Sequence, residues 1–414
     1  IRDVAPSRGL GDVYKRQHWD IVPGGKYYVT RNNTSILAFK VGTKLDNYSF
    51  NIVTSHTDSP TFKVKENAEI EVKNKYTQLN TEGYGGMLCA TWLDRPLSIA
   101  GRVLVSEGNS IVTKLLNIDR DLLMIPNVAI HMNRAANDGF KYNLQVDMLP
   151  LLSAGDDRQK DFKQIIADEL GVKKEDILGH DLYLYNRMAP SIWGANEEFI
   201  SSGHLDDLQC GFASLKALLA GYNDESIDIM ACFDNEEVGS GTKQGADSTL
   251  LRDTLTRINN ALGKTEEDYH RALASSFMLS ADNAHAVHPN HPEHTDVTNC
   301  TYMNEGVVVK SHAGQKYTSD GVSMAVVKAL ASGADVPLQY FANRSDKAGG
   351  STLGNIAMAQ ASMNAVDIGL PQLAMHSSYE TAGIKDTYYA ISLMKALFDS
   401  HIQETSTHSL EIKR

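Results

Sequence analysis

Four runs of apolar, β-favouring residues break off into polar ones: Phe50 to Thr54, Ile227 to Phe233, Ser276 to Ser280 and Pro337 to Phe341. Between some of them lie stretches with a helical period. Leu208, Phe212, Leu215 and Leu219 recur at three-to-four spacing, as do Val322, Val326, Ala329 and Leu330, closed by Gly333 and Pro337. Tyr388, Ile391, Leu393 and Met394 begin another. Strands alternating with helices predict an α/β layer fold, an α/β/α sandwich around a largely parallel central sheet. In such a sheet ligands collect beyond the carboxyl ends of the strands. The polar tails of these runs fall there.

From about Leu97 to Trp193 the pattern changes. Arg102 to Val105 and Ile125 to Met132 read as strands separated by charged turns, with one amphipathic helix near Phe162 to Leu170. Residues 97–195 therefore read as an inserted, β-rich second domain that splits the first into 18–96 and 196–414. A chain of 414 residues also exceeds the size at which one core usually stops growing. The first seventeen residues, IRDVAPSRGLGDVYKRQ, carry charge without periodicity. Residues 1–17 are expected to be non-native or disordered, and no function is placed there.

A net charge of -12 argues against nucleic acid or an anionic membrane as partner. No apolar run approaches the roughly 20 residues of a membrane span, and no segment reads as an export signal. Cys89, Cys210, Cys232 and Cys300 are scattered, which suits reduced thiols in a cytoplasmic protein.

The residues that can carry chemistry stand just past the strands. Ser55-His56-Thr57-Asp58 can point His56 into a cleft with Asp58 behind it, orienting the ring; alone, such a triplet is more often a surface turn. His204-Leu205-Asp206-Asp207 opens a helix, where acids are favourable charges anyway. Asp234-Asn235-Glu236-Glu237 comes after a strand expected to be buried on both faces, where two adjacent anions repel each other and resist desolvation. Ser280-Ala281-Asp282 and Ala374-Met375-His376 end two further runs. Five edges thus deliver His, Asp, Glu, Asp and His, the ligand set of a two-metal hydrolase. Nitrogen and oxygen donors without thiolate suit Zn²⁺, with Mn²⁺ or Co²⁺ as alternatives.

The stretches SHTDSP, FDNEEVGS, SADNAHAVHPN and PQLAMHS, with GYGGMLCATWLDRPLSIAGRV and GGSTLG, resemble in order the motifs of the M18 family of metallo-aminopeptidases, the aspartyl aminopeptidases. The resemblance covers about residues 18 to 400. It implies that His56 and Asp282 bind one ion, Glu237 and His376 the other, and that Asp206 bridges them. It also implies a cis peptide at the Asp206–Asp207 bond. Asp207 stands where relatives often have Asn, behind the ligands. Glu236 resembles the general base, taking a proton from the attacking water and returning it to the leaving amine. The implied activity is release of N-terminal, acidic residues from peptides. The implied assembly is a homo-oligomer, a dodecamer built from dimers, with the insertion as its dimerisation domain.

His131, within IPNVAIHMNR, reads as a strand-face histidine by itself; the resemblance implies that it reaches a neighbouring subunit's active site. Lys310, ending GVVVK, is the best candidate to pair with an acidic substrate side chain, against the plain alternative of a solvated strand-end lysine. Arg344 and Lys347 are weaker candidates. His285, His288, His291 and His294 are evenly spaced, but Pro289 and Pro292 interrupt any helix, so they cannot share a helical face. The first two read as structural or supporting, the last two as loop residues. The competing functions are the same chemistry with neutral or broad specificity, and a catalytically silent oligomeric scaffold.

Overall fold

The computed structural model describes residues 11–12, 17–155, 161–406 and 409–414. The chain forms two compact units: Ile1–Asp58, Ile192–Met375 and Thr381–Arg414 make the first, Ser59–Ser191 and His376–Glu380 the second. Of the segment 1–17, all but residues 11–12 and 17 lies outside the described residues.

The first unit is built on a mixed sheet of nine strands: β1 (Gly11–Asp12), β2 (Lys26–Arg31), β3 (Ser35–Val41), β4 (Ser49–His56), β5 (Ser226–Phe233), β6 (Phe277–Ala281), β7 (Val307–Lys310), β8 (Leu338–Phe341) and β9 (Asn364–Gly369). Their spatial order is β1-β2-β3-β5-β4-β6-β9-β7-β8. The centre of the sheet, β5-β4-β6-β9, is parallel throughout, whereas β2, β3 and β5 pair antiparallel on one side and β9 with β7 on the other. The helices are α1 (Leu205–Ala220), α2 (Leu250–Ala261), α3 (Glu266–Ala274), α4 (Gly321–Gly333), α5 (Leu353–Gln360) and α6 (Asp386–Phe398).

A central parallel strand is covered on both faces, so it has no polar side to show. All eight residues of β5 are buried. Met230 and Cys232 enter one apolar cluster with residues of α1, α4 and α6. Ile227, Ile229, Ala231 and Phe233 enter another with residues of α2, α3 and α5. The period of two along the strand thus feeds two layers. Buried strand ends leave the polar residues beyond them in one row.

The second unit centres on a six-stranded antiparallel sheet, in the order Ser110–Asn117, Leu97–Glu107, Ile177–Asn186, Thr61–Val72, Tyr76–Tyr84, Leu151–Ala154. Phe162–Leu170 is a helix, capped by the Asp161 side chain accepting from the Gln164 N–H and ended by Gly171 at φ 63°. This unit begins at Ser59, ahead of the insertion boundary expected at residue 97. The hairpin Thr61–Val72/Tyr76–Tyr84 supplies Phe62, Val64 and Leu79 to its own core. The strand expected from Ile125 to Met132 does not form. Leu123 and Ile125 make isolated bridges, and the chain then leaves the ladder at Pro126, which has no N–H to give. Val128, Ile130 and Met132 are exposed beyond it.

Candidate metal centre

Three parallel strands set the depth of the site. Phe233 on β5 lies opposite His56, and Ser280 on β6 opposite Thr54. His56 is the last residue of β4, so the polar residues just past β5 and β6 emerge beside its ring. The entry to α1 adds Asp206 and Asp207. His204 adopts φ 61°, both acids have non-helical torsions, and the peptide between them is cis. Acids that merely favour a helix start stay in solvent, but these two are 2% and 0% exposed.

The side chains converge on His56. Its Nε2 lies 3.4 Å from an Asp206 oxygen and 3.7 Å from an Asp282 oxygen. Its Nδ1 faces the Asp58 backbone carbonyl at 3.0 Å and the Asp58 carboxylate at 3.4 Å. The His56 N–H donates to Asp207 at 3.0 Å, which fixes the end of the strand to the start of α1. Asp58 does more than orient a ring. Its two carboxylate oxygens accept the consecutive N–H groups of Glu236 and Glu237 at 3.0 and 3.1 Å. Those glutamates occupy one 3₁₀ turn between Asn235 at φ 63° and Gly239 at φ 93°. Donor atoms of His56, Glu236 and Glu237 lie within 4.8 Å of one another, and so do those of His56, Asp207 and Asp282.

So many anions in one buried place perturb each other. Burial first, then the charge of Asp282, raises the Glu236 carboxyl to about 7. Burial and Asp206 raise Glu237 to about 10. Asp207 is pushed well above the carboxylate range by burial, with Asp282 and Asp206 adding to it. Burial pulls the His56 imidazole down, but Asp206, Asp282 and Asp58 outweigh it and hold the ring well above its usual value. Burial holds the neighbouring Cys210 well above the usual thiol range, so it remains a thiol. Nitrogen and oxygen donors without thiolate, packed closer than uncompensated carboxylates tolerate, fit a divalent cation of the zinc class.

Lys310 is not a solvated strand-end lysine. It is 3% exposed, donates to the Asn283 carbonyl at 2.7 Å, lies 3.7 Å from Asp282 and sits over the Tyr317 ring. Burial pulls the Lys310 ammonium down, but Asp282, Tyr317, Asp367 and Asp206 together outweigh it and hold the group above its usual range, so it stays charged. Neither this placement nor the double acceptor role of Asp58 was legible in the sequence; the only signal was the position of both residues at strand ends.

His376 belongs to the short segment counted with the second unit. There its Nδ1 lies 2.6 Å from the Gly86 carbonyl, and its N–H donates to Glu380 at 2.8 Å. His131 sits on an exposed turn of that unit rather than on a strand face. Arg344 is taken up by Asp346 and the Glu293 carbonyl.

The model of a family described as aminopeptidase I zinc metalloprotease (M18) matches residues 1–398. A probable M18 family aminopeptidase 2 of Clostridium novyi is 46% identical over 405 residues, covering 96% of this chain and 94% of the relative. Its counterpart in Clostridium acetobutylicum is 47% identical over 395 residues, covering 94% and 91%. Among solved structures, the cryo-EM structure of the Ape4 and Nbr1 complex superposes with a TM-score of 0.92 at 34% identity, covering 96% of this chain and 81% of that one. The S. cerevisiae mApe1 dodecamer does so with a TM-score of 0.82 at 27% identity, covering 96% and 91%.

Proposed function

The chain belongs to the M18 family of zinc metalloproteases and is a metallo-aminopeptidase; from that premise we propose a dinuclear enzyme that hydrolyses N-terminal, preferentially acidic residues from peptides. His56, Asp206, Glu237, Asp282 and His376 would hold two divalent ions, Zn²⁺ first, Mn²⁺ or Co²⁺ as alternatives. The observation that carries this reading is the gathering of His56, Asp206, Glu236, Glu237 and Asp282 at one edge of the sheet.

Bound there, the ions supply Lewis acidity, which acidifies water and stabilises negative charge developing on a peptide carbonyl. Glu236 acts as general base: it takes the proton from the attacking water and gives it to the departing amine. Asp58 holds the turn so that Glu236 and Glu237 serve different tasks from adjacent positions. Asp207 fixes the His56 backbone, and Asp58 with its carbonyl sets the tilt of the ring. The first unit then acts as the catalytic domain, an α/β/α sandwich of the zinc-peptidase type. The inserted domain, expected at 97–195, acts as the dimerisation element of a dodecamer built from dimers, an assembly supported by the mApe1 dodecamer among its relatives. His131 of one subunit serves a neighbour's site. Among the described residues no helix is long and apolar enough to cross a membrane, and we place the enzyme in the cytoplasm.

A second reading, neutral or broad specificity, is favoured by one observation. Lys310, the candidate partner for an acidic side chain, already donates to Asn283 and faces Asp282. Purified, zinc-loaded protein offered Asp-, Glu-, Leu- and Lys-chromogenic amides separates the readings. Turnover selective for Asp and Glu and abolished by chelator supports the first. Chelator-sensitive turnover of all four supports the second, and absence of turnover with zinc bound sinks both.

A further inference from the structure

The series His288, His291 and His294 cannot share an α-helical face, but a turn of three residues aligns positions three apart. The chain makes such turns here. His291 N–H donates to the His288 carbonyl at 3.0 Å and His294 N–H to the His291 carbonyl at 3.1 Å, with Pro292–His294 a 3₁₀ turn. The three imidazoles consequently stand in a row. Ring centroids are 5.4 Å apart from His288 to His291 and again from His291 to His294. Glu293 joins them, 3.0 Å from the Nδ1 of His291 and 4.0 Å from the Nε2 of His294. Donor atoms of His291, Glu293 and His294 all lie within 4.8 Å of one another.

We propose that His291, Glu293 and His294, flanked by His288, form a separate surface binding site for a divalent transition-metal ion, Zn²⁺ above all. Two imidazole nitrogens and a carboxylate oxygen are the donors that Zn²⁺, Ni²⁺ and Cu²⁺ take, and His288 stands one ring away as a further donor. The backbone is already held in shape. Arg344 donates to the Glu293 carbonyl at 2.5 Å while its own charge is answered by Asp346. Asp296, two residues past His294, accepts from the N–H groups of Thr298 and Asn299. All three ligands are exposed, so the ion enters from solvent and its exchange is independent of the buried cluster. The plain alternative is a surface His–Glu pair that binds nothing.

The test compares the full-length parent with His291→Ala/His294→Ala after saturation with Zn²⁺ and gel filtration. Elemental analysis should find one equivalent fewer per chain in the variant. Titration with Co²⁺ should lose one component of the visible d–d absorption. Activity on a chromogenic amide and the melting temperature without added metal should match the parent, which excludes a folding defect. Equal zinc content and identical Co²⁺ titrations in the two proteins would overturn the site. Glu293→Ala alone should weaken the same Co²⁺ component, and an unchanged titration there removes the carboxylate from the ligand set.

Discussion

At the residue scale the decisive group is Asp58, because one carboxylate accepts two successive amides and thereby sets the aim of both glutamates. Glu236→Gln keeps the size of the side chain and removes its basicity. Zinc content measured by elemental analysis should be unchanged while kcat falls at least about 10²–10⁴-fold; near-parental turnover would exclude Glu236 as the base. Asp58→Asn retains one acceptor oxygen and turns an N–H₂ toward the other amide. Zinc affinity, followed by competition with a chromogenic chelator, should drop about 10–100-fold. The candidate residues were legible in the sequence because each stands at or just past a strand end or at a helix start. The distribution of work among them was not. Nothing in His-x-Asp says that the second residue reaches across to the amides of Glu236 and Glu237, and nothing in GVVVK says that Lys310 is sealed beside Asp282.

At the scale of elements, α6 begins with a buried acid. Burial raises the Asp386 carboxyl to about 7, against the opposing pull of the Asn304 and Gly306 N–H groups that it accepts. An unfolded aspartate titrates near 3.9, so between roughly pH 4 and 7 the native state holds a proton that the unfolded chain has released. This group therefore lowers stability as pH rises across that window, the reverse of a paired surface carboxylate. Asp386→Asn keeps an acceptor oxygen and should flatten the difference, by a few kcal/mol at most, in urea denaturation curves at pH 4 and pH 7. A parallel dependence in both proteins would rule this out. The element pattern was legible where burial was two-sided, as in β5, or periodic, as in Phe162–Leu170. It was not legible between 61 and 84, where a hairpin with alternating polarity gives no hint of which unit it serves. Nor did it register that Pro126 halts the run from Ile125 to Met132. The even histidine spacing was visible, but only i→i+3 bonding, not an α-helix, brings those rings together.

At the scale of the whole molecule, the role proposed for His131 would make oligomerisation part of catalysis, and it can be tested. His131→Ala should retain zinc and lose activity, measured as kcat on a chromogenic amide. Co-assembly with Glu236→Gln then decides where the histidine acts. If it serves a neighbouring subunit, mixed assemblies should be more active than either variant alone, since sites with an intact Glu236 receive His131 from the other chain. No gain on mixing would confine His131 to its own subunit. The order of the strands carries a last consequence, for biosynthesis. The partners of β4 are β5 and β6, at 226–233 and 277–281, so a nascent chain presents a strand that the fold buries along its whole length, with both edges open, until more than half the chain has been made. Closing such a sheet is a slow, long-range event exposed to aggregation. The hairpins at 61–84 and 97–117 need only near neighbours. Translation therefore builds the second unit's local pairings while the strand that carries His56 is still waiting.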